Sequence, residues 1–375
     1  MVNMNKLIDS LYLHFPFCTH LCNYCDFYKK VPTNKTLDFN TFHQYLDAAF
    51  FEHQQLIKKH GYSFAALKTF YIGGGTPSFW GKEGKIFLEN FFNKHHLSFA
   101  ENCEFTLEVN PGAWTEESLN EWQKFGANRF SLGIQTLNPQ VLKFLDRSHP
   151  IEEVHRTLKF FSDNKLNFST DFMLGLPNSD EYQRDVIAEL TEALAYHPSH
   201  FSVYILTVKD NYKYYKNLPS EEWIEEEFLK VANFLKSKNF SHYEVSNFSL
   251  LGKESKHNLN YWKSKTVAAL GPSATGLLAD SGIRYKWKTN SPSYELEELT
   301  NDQIKLEKFY MALRSNIGIS FLDVPQDMHD HFKELALNWQ RMDLATVDES
   351  QVKLTSKGYL LLDSLIGDLF TRKIL

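Results

Sequence analysis

Short apolar runs alternate with longer amphipathic segments over the first 208 residues of the chain. Six of these runs are almost continuously apolar, which is typical of strands buried on both faces of a parallel sheet. They cover residues 11–15, 67–72, 104–109, 129–134, 167–174 and 200–208. The segments between them, such as Tyr45–Lys58 and Ile151–Ser162, have helical periodicity. The alternation predicts an α/β fold, a doubly wound sheet or a barrel, and six units favour a partial (β/α)6 barrel of the TIM type.

The pattern changes after residue 208. A polar, tyrosine-rich stretch at 211–216 precedes a predicted helix near 221–237 and a further strand at 243–248. From about Pro292 onward the pattern is mainly helical, and residues 352–370 begin as a strand and continue as an amphipathic helix, as in a winged helix. We expect three parts: the barrel at 1–208, an extension of the barrel at 209–290 and a C-terminal, mainly helical domain at 291–375.

Composition narrows the class of protein. With 375 residues, 43% of them hydrophobic, the chain can bury a large core, as a soluble globular protein does. Its 40 basic and 46 acidic residues give a formal charge of −6, so nothing indicates nucleic acid or an anionic membrane as a partner. Residues 11–17, the first apolar run, contain His14 and Pro16 and are too short for an integral membrane segment. We therefore expect a cytoplasmic protein.

Three of the four cysteines lie within eight residues. Cys18, Cys22 and Cys25 form a CxxxCxxC motif in the loop after the first predicted strand. A reducing compartment favours metal binding over disulfides for such a set. Thiolates hold iron–sulfur clusters, and a site with three thiolates leaves one iron open for a further ligand. A zinc site completed by His14 or His20 is the alternative, although zinc does not need a scaffold of six strand–helix units.

Polar residues follow nearly every predicted strand at its carboxyl end. In barrels of parallel strands the active site lies at that end, so these side chains are expected to surround a ligand. Glycines let the backbone approach a ligand, carboxylates accept hydrogen bonds from hydroxyl or ammonium groups, and a guanidinium suits a carboxylate. The candidates are Gly73–Pro77, Glu108, Gln135, Arg147, Asp171, Tyr204 and Thr207. Singly, each could instead be an ordinary turn or surface residue.

Taken together, these motifs resemble the radical SAM superfamily, in which an iron–sulfur cluster binds S-adenosylmethionine (SAM). The resemblance is closest to the branch that contains oxygen-independent coproporphyrinogen III oxidase and the heme chaperone HemW. The segments that carry it follow the family order and span most of the chain: residues 12–27, 73–78, 108–112, 133–135, 146–149, 171–177 and 257–262.

The resemblance implies a [4Fe-4S] cluster with three irons bound by Cys18, Cys22 and Cys25. The amino and carboxylate groups of SAM would chelate the fourth iron, and an electron donor would reduce the cluster. The residues that the resemblance implies in SAM binding are Tyr12, Tyr24, Gly75, Thr76, Glu108, Gln135, Arg147, Asp171 and Thr207.

Two features distinguish the branches of this family. The oxidases have a CxxxCxxCxC motif, whereas Phe27 stands two positions after Cys25 here. Residues 257–262, HNLNYW, match the HNxxYW segment associated with heme binding in the HemW group. By this resemblance His257, Tyr261 and Trp262 would contact heme, with the imidazole as an axial iron ligand. Without the resemblance, a histidine beside aromatic residues is more often structural.

The resulting expectation is a heme chaperone that binds heme and a SAM-liganded cluster and passes heme to an acceptor hemoprotein. Only eleven residues precede Tyr12, fewer than in the oxidases, which favours the chaperone branch. The alternatives are a coproporphyrinogen III oxidase of porphyrin biosynthesis, which decarboxylates its substrate, and a radical SAM enzyme with another substrate.

Overall fold

A nine-stranded sheet forms the centre of the protein. The computed structural model describes residues 6–147, 149–209 and 211–372. Six parallel strands lie side by side in chain order: β1 (Lys6–Phe15), β2 (Tyr62–Gly74), β3 (Phe99–Val109), β4 (Arg129–Gln135), β5 (Phe168–Leu174) and β6 (His200–Ile205). The remaining strands are β7 (Ser241–Glu244), β8 (Asn247–Ser249) and β9 (Ala268–Leu270). β8 pairs antiparallel with β6 and with β7, and β9 lies parallel to β1 at the other edge.

Helices connect the parallel strands in the alternation that the periodicity predicts. They are α1 (Lys35–Lys59), α2 (Gly81–Lys94), α3 (Glu116–Phe125), α4 (Pro139–Leu142), α5 (Ile151–Asp163) and α6 (Val186–Leu194). The side chains of Asn34 and Thr115 accept hydrogen bonds from the first turns of α1 and α3, which fixes where these helices begin. Apolar residues of the strands and helices, among them Leu46 and Phe70, form one large buried core.

The inner faces of the parallel strands are buried but polar. The hydroxyl oxygens of Ser10 and Thr69 lie 2.5 Å apart, which links β1 to β2. Ser131 donates to Asp171 at 2.9 Å, which links β4 to β5. Because side chains alternate across a strand, the apolar partners of these residues face the helices and the polar ones face one another. The inner face of the sheet is therefore a buried surface of hydrogen-bonded polar side chains.

A short helix packs against this interior from the far side. After α7 (Glu221–Ser237) and the β7–β8 hairpin, the chain forms α8 (Lys256–Trp262). α8 contacts Ser10, Thr69 and Glu104, which lie on the inner faces of β1, β2 and β3. Each of the three stands five residues before the last residue of its strand. At about 3.3 Å per residue, these contacts lie roughly 16 Å from the carboxyl ends of the strands.

The last part of the chain has two smaller sheets and a separate core. One antiparallel sheet contains β10 (Thr275–Leu278), β11 (Ile283–Trp287) and β12 (Tyr294–Glu298). The C-terminal part contains α9 (Asn301–Leu313), β13 (Ile319–Ser320), α10 (His329–Arg341), β14 (Ala345–Val347), β15 (Gln351–Leu354), α11 (Ser356–Leu360) and α12 (Leu362–Thr371). Buried residues such as Phe332, Trp339 and Leu369 form its own hydrophobic cluster.

The predicted fold class is confirmed: the protein is α/β, with a partial barrel of parallel strands and a C-terminal part that is mainly helical. The region after Pro292 is mainly helical as expected, although strand β12 precedes its first helix, α9. β12 pairs with β11 across residue 290, and Tyr294 packs against Trp287. The proposed division into three domains stays a prediction. In the described residues, no helix is both long and apolar enough to cross a membrane.

Candidate functional site

A cavity of about 430 Å³ lies at the carboxyl ends of the parallel strands. Cys18, Cys22 and Cys25 line it, in the loop that follows β1. Burial raises the pKa of the Cys18 thiol. The backbone of this loop is held on both sides, because Cys18 N donates to Lys30 O at 3.0 Å and the Lys29 ammonium donates to the carbonyl of Cys25. The structure therefore brings the three predicted thiols to one wall of the cavity.

The two histidines of the alternative zinc site have other partners. The ring of His14 lies 2.8 Å from the Tyr28 carbonyl oxygen and 3.1 Å from the Tyr12 hydroxyl. His20 lies 3.1 Å from the Asp146 carboxylate at the rim. In residues 6–147, 149–209 and 211–372, no three His, Cys, Asp or Glu side chains converge on a point that one metal ion could occupy. A cube of four irons does not need such a point, since each thiolate binds a different iron.

The glycine-rich segment faces the cavity and is packed against its wall. Gly75 N donates to Phe15 O at 2.7 Å, so this segment runs beside the start of the cysteine loop. Tyr71 donates to one oxygen of Glu108 at 2.9 Å, and Gly74 N donates to the other at 3.0 Å. Burial is the main cause that raises the pKa of Glu108 to about 7. A Cβ atom on Gly73 would lie 2.8 Å from Glu108 and 2.9 Å from the Tyr71 ring, so a larger residue there would displace these two side chains.

Arg147 places a guanidinium at the cavity. Its guanidinium donates to the Tyr24 hydroxyl at 3.3 Å, to the Asn110 side-chain oxygen at 3.4 Å and to the carbonyl of Gly133. Asn110 in turn donates to the Thr76 hydroxyl at 3.0 Å. This network joins the cysteine loop, the glycine-rich segment and the ends of β3 and β4.

Asp171 is a further carboxylate at the cavity. It accepts hydrogen bonds from Ser131 at 2.9 Å and from Ser169 at 3.1 Å. Burial raises its pKa above the usual range. Gln135 and Thr207 also line the cavity. Eight of the nine residues implied in SAM binding, all except Tyr12, thus line one cavity.

Tyr12 lies one layer deeper than the cavity lining. Its ring packs 6.0 Å from that of Tyr71 and 6.4 Å from that of His257, centroid to centroid. Tyr12 therefore stands between the cavity and α8.

The predicted heme segment lies apart from the cavity. His257 is 1% exposed, and its ring nitrogens lie 3.0 Å from the Thr69 hydroxyl and 3.2 Å from the Tyr261 hydroxyl. Burial lowers the pKa of His257 to about 3, so the imidazole is neutral. Trp262 lies under the guanidinium of Arg314, 5.3 Å from the ring centroid.

A buried chain of hydrogen bonds runs from the cavity to α8. Ser169 bonds to Asp171, and its oxygen lies 2.8 Å from His200 Nδ1. His200 Nε2 lies 2.8 Å from the Tyr243 hydroxyl, which accepts from Ser255 N at 3.1 Å. With the Ser169 hydroxyl donating to Asp171, a neutral His200 carries its proton on Nδ1 and accepts from the Tyr243 hydroxyl at Nε2.

Three further polar residues of the cavity were not predicted from the sequence. Tyr71, Asn110 and His149 line the cavity, and none was a candidate. Alternation along β2 places Tyr71 on the same face as Gly73, which could have identified it. In the same way, Asn110 stands two positions after Glu108, so alternation along the chain places it on the same face. His149 follows Arg147 in the same way, although only the folded loop brings it to the cavity.

The residues present fit the cluster and SAM that the motifs imply. Three thiols on one wall supply three ligands for a cube of iron and sulfur. Within the described part of the chain, Arg147 Nε and His149 Nε2 are buried and have no hydrogen-bond partner, so both atoms are available to a polar ligand. A Cβ atom on Gly133 would lie 2.5 Å from Asn110 Oδ1 and 3.3 Å from the Arg147 guanidinium, which shows how closely the wall is packed.

Comparison with known proteins gives the class. A family model of the radical SAM superfamily matches residues 12–191. The solved structure of coproporphyrinogen III oxidase (HemN) from Escherichia coli, described as a radical SAM enzyme, matches with a TM-score of 0.75. The match covers 97% of this chain and 90% of that chain at 18% identity, which is a likeness of fold alone. The fold and the site define a radical SAM protein, and this class implies a [4Fe-4S] cluster and SAM.

Sequence relatives narrow the class to one family. Heme chaperone HemW of Buchnera aphidicola subsp. Schizaphis graminum is 34% identical, over 71% of this chain and 69% of the relative. HemW of Escherichia coli is 30% identical, over 76% and 74%. HemW of Bacillus subtilis is 29% identical, over 96% of this chain and 98% of the relative. The chain belongs to the HemW family of radical SAM proteins.

Proposed function

We propose that the protein binds heme and transfers it to an acceptor hemoprotein, and that the cavity holds a [4Fe-4S] cluster with SAM as a ligand. The observation that carries the proposal is one cavity in which three thiols meet a glycine-rich wall, the carboxylates of Glu108 and Asp171 and the guanidinium of Arg147. The relatives named as heme chaperones support the heme part. Phe27 supports the distinction from the oxidases, since it lines the cavity and is 68% exposed where they have a further cysteine.

Five residues of the cavity have defined tasks in this proposal. Cys18, Cys22 and Cys25 bind three irons and leave the fourth to the amino and carboxylate groups of SAM. Arg147 offers a cation to the SAM carboxylate, and Glu108 offers an acceptor to its ammonium group. The cluster with its SAM ligand supplies one-electron redox chemistry, while the chain orients SAM and shields it from water.

The proposed heme ligand is His257, with Tyr261 and Trp262 beside the porphyrin. Its imidazole is neutral, which is the form that binds iron. Both ring nitrogens face hydroxyl groups, so iron ligation requires α8 to turn and one nitrogen to exchange a hydroxyl for iron. Turning α8 would break the hydrogen bonds that anchor it, among them those from Lys256 N and His257 N to Glu104, so heme binding must supply that free energy.

The proposal is tested with protein reconstituted anaerobically with iron, sulfide and SAM. Titration with hemin should reach a stoichiometric end point, and the bound heme should pass to an added apo-hemoprotein. His257→Ala should weaken hemin binding at least tenfold, whereas His331→Ala, at an exposed position, should not change it. Decarboxylation of coproporphyrinogen III by the same preparation would overturn the chaperone assignment in favour of the oxidase.

A further inference from the structure

A buried ion network lies behind the cavity wall, outside the residues that line it. The side chains of Arg184 and Glu189 are 0% and 8% exposed, and Arg184 Nε donates to Glu189 Oε1 at 2.7 Å. Glu227 on α7 lies 3.5 Å from the same guanidinium and is 4% exposed. None of the three was a candidate from sequence.

Glu189 holds the loop that follows Gln135. Its Oε2 atom accepts hydrogen bonds from the Thr136 hydroxyl at 2.8 Å and from Leu137 N at 2.6 Å. Gln135 itself has a φ angle of 72°, in the left-handed region that residues other than glycine rarely adopt. Such a conformation persists where the surrounding structure enforces it. The two hydrogen bonds to Glu189 begin at the next residue.

Arg184 holds the end of the neighbouring strand. It donates to the Met173 carbonyl oxygen at 2.7 Å, two residues after Asp171. Glu227 accepts from Gly175 N at 2.9 Å in the loop that follows. One network thus fixes the ends of β4 and β5 relative to each other. A buried ion pair adds little net stability, because desolvation of the two charges offsets their attraction. The network is better explained by its effect on structure, since it fixes the conformation of the loops that follow β4 and β5.

We propose that Arg184 and Glu189 are positioning residues for SAM, which act by keeping Gln135 in its left-handed conformation with its amide in the cavity. This inference rests on the proposed function in one respect, the assignment of SAM to the cavity. It predicts that damage to the network weakens SAM binding without changing the cluster.

The test compares two variants of the same helix in reconstituted protein. Glu189→Gln keeps the size of the side chain but removes its charge, and Glu192→Gln changes a 53% exposed carboxylate on α6. SAM affinity is measured by the change in the EPR spectrum of the reduced cluster on SAM addition. We expect Glu189→Gln to bind SAM about tenfold more weakly than the parent, about 1.4 kcal/mol, and Glu192→Gln to bind like the parent. Iron content and the spectrum without SAM should stay unchanged in both.

A double-mutant cycle separates positioning from general stabilisation. If Glu189 acts through Gln135, Glu189→Gln should cause no further loss of SAM affinity in a Gln135→Ala background. Equal losses in both backgrounds, or an unchanged affinity of Glu189→Gln, would refute the inference. If Glu189→Gln does not fold, Thr136→Val removes one of the same hydrogen bonds without touching a charge, and the same expectations apply. A parent protein whose spectrum does not respond to SAM would instead refute the proposed function.

Discussion

Burial in the barrel changes the pKa of Glu108. Burial raises its pKa from 4.5 to about 7, so the folded protein holds this proton more tightly than the unfolded chain. The stability that results is fully present below pH 4.5 and is lost as the pH rises through 7. The shift corresponds to at most about 3 kcal/mol. Glu108→Gln should remove this part of the pH dependence.

Urea unfolding of the metal-free, reduced protein at pH 5 and pH 8 measures the Glu108 effect. Relative to the parent, Glu108→Gln should gain about 2 to 3 kcal/mol between the two pH values. Glu101→Gln, at an exposed position of the same strand, is the matched control and should follow the parent. A variant with the parental pH slope would show that the carboxyl group is not the cause.

Substitution of Gly133 by alanine adds one methyl group to the cavity wall and so tests how closely the wall is packed. Gly133→Ala would place a Cβ atom against Asn110 and Arg147, and both side chains would have to move. We expect SAM affinity to fall at least tenfold, because Asn110 is displaced and the Arg147 guanidinium that it accepts from shifts with it. Gly367→Ala, with no atom within 4 Å of the added group, should bind SAM normally and gain up to about 1 kcal/mol of stability. Unchanged SAM affinity of Gly133→Ala would contradict this picture.

At this scale the sequence identified the residues that stand at strand ends and missed those held by tertiary contacts. Glu108 and Asp171 were recognisable because each ends or interrupts an apolar strand. Arg184 was not, because its partners Glu189 and Glu227 lie on two later helices. No local pattern distinguishes such a buried ion pair from charges on a helix surface.

At the scale of elements, periodicity predicted the helices and strands whose own sequences have a regular apolar pattern. The predicted helix at 221–237 matches α7, and all six predicted barrel strands are present. The expected strand at 243–248 is instead the β7–β8 hairpin, which turns at Val245 and Ser246. β12 was missed because its sequence, Tyr294–Glu298, is mostly charged and forms a strand only through pairing with β11.

The anchoring of α8 gives a prediction for an element. Glu104 accepts hydrogen bonds from Lys256 N and His257 N, which would otherwise lack partners in the first turn of α8. Glu104→Ala should destabilise the protein by about 1 to 2 kcal/mol and loosen the helix. Hydrogen exchange of residues 256–262 should become faster, and hemin should bind faster if α8 must turn. Faster exchange with an unchanged rate of hemin binding would contradict the proposed movement of α8.

The whole molecule places residues in contact that the sequence separates widely. His257 meets Ser10 and Thr69, which lie 247 and 188 positions away in the chain. The family resemblance singled out the heme segment, but nothing in the sequence indicated that it would close the interior of the barrel. Contacts of this kind depend on the path of the chain after β6, where the strand–helix alternation ends.

The contribution of the hydrogen bonds between Asp171 and α8 to stability can be measured by removing one hydroxyl group. Tyr243→Phe removes one hydroxyl group and leaves His200 Nε2 and Ser255 N without their partner in a fully buried place. Each unsatisfied group costs about 1 to 3 kcal/mol, so we expect equilibrium unfolding to show a loss of about 2 to 4 kcal/mol. Tyr182→Phe, at a 40% exposed position, should lie within about 0.5 kcal/mol of the parent. A loss of less than about 1 kcal/mol for Tyr243→Phe would mean that water replaces the hydroxyl group. The hydrogen bonds through Tyr243 would then not hold α8 in place relative to the cavity.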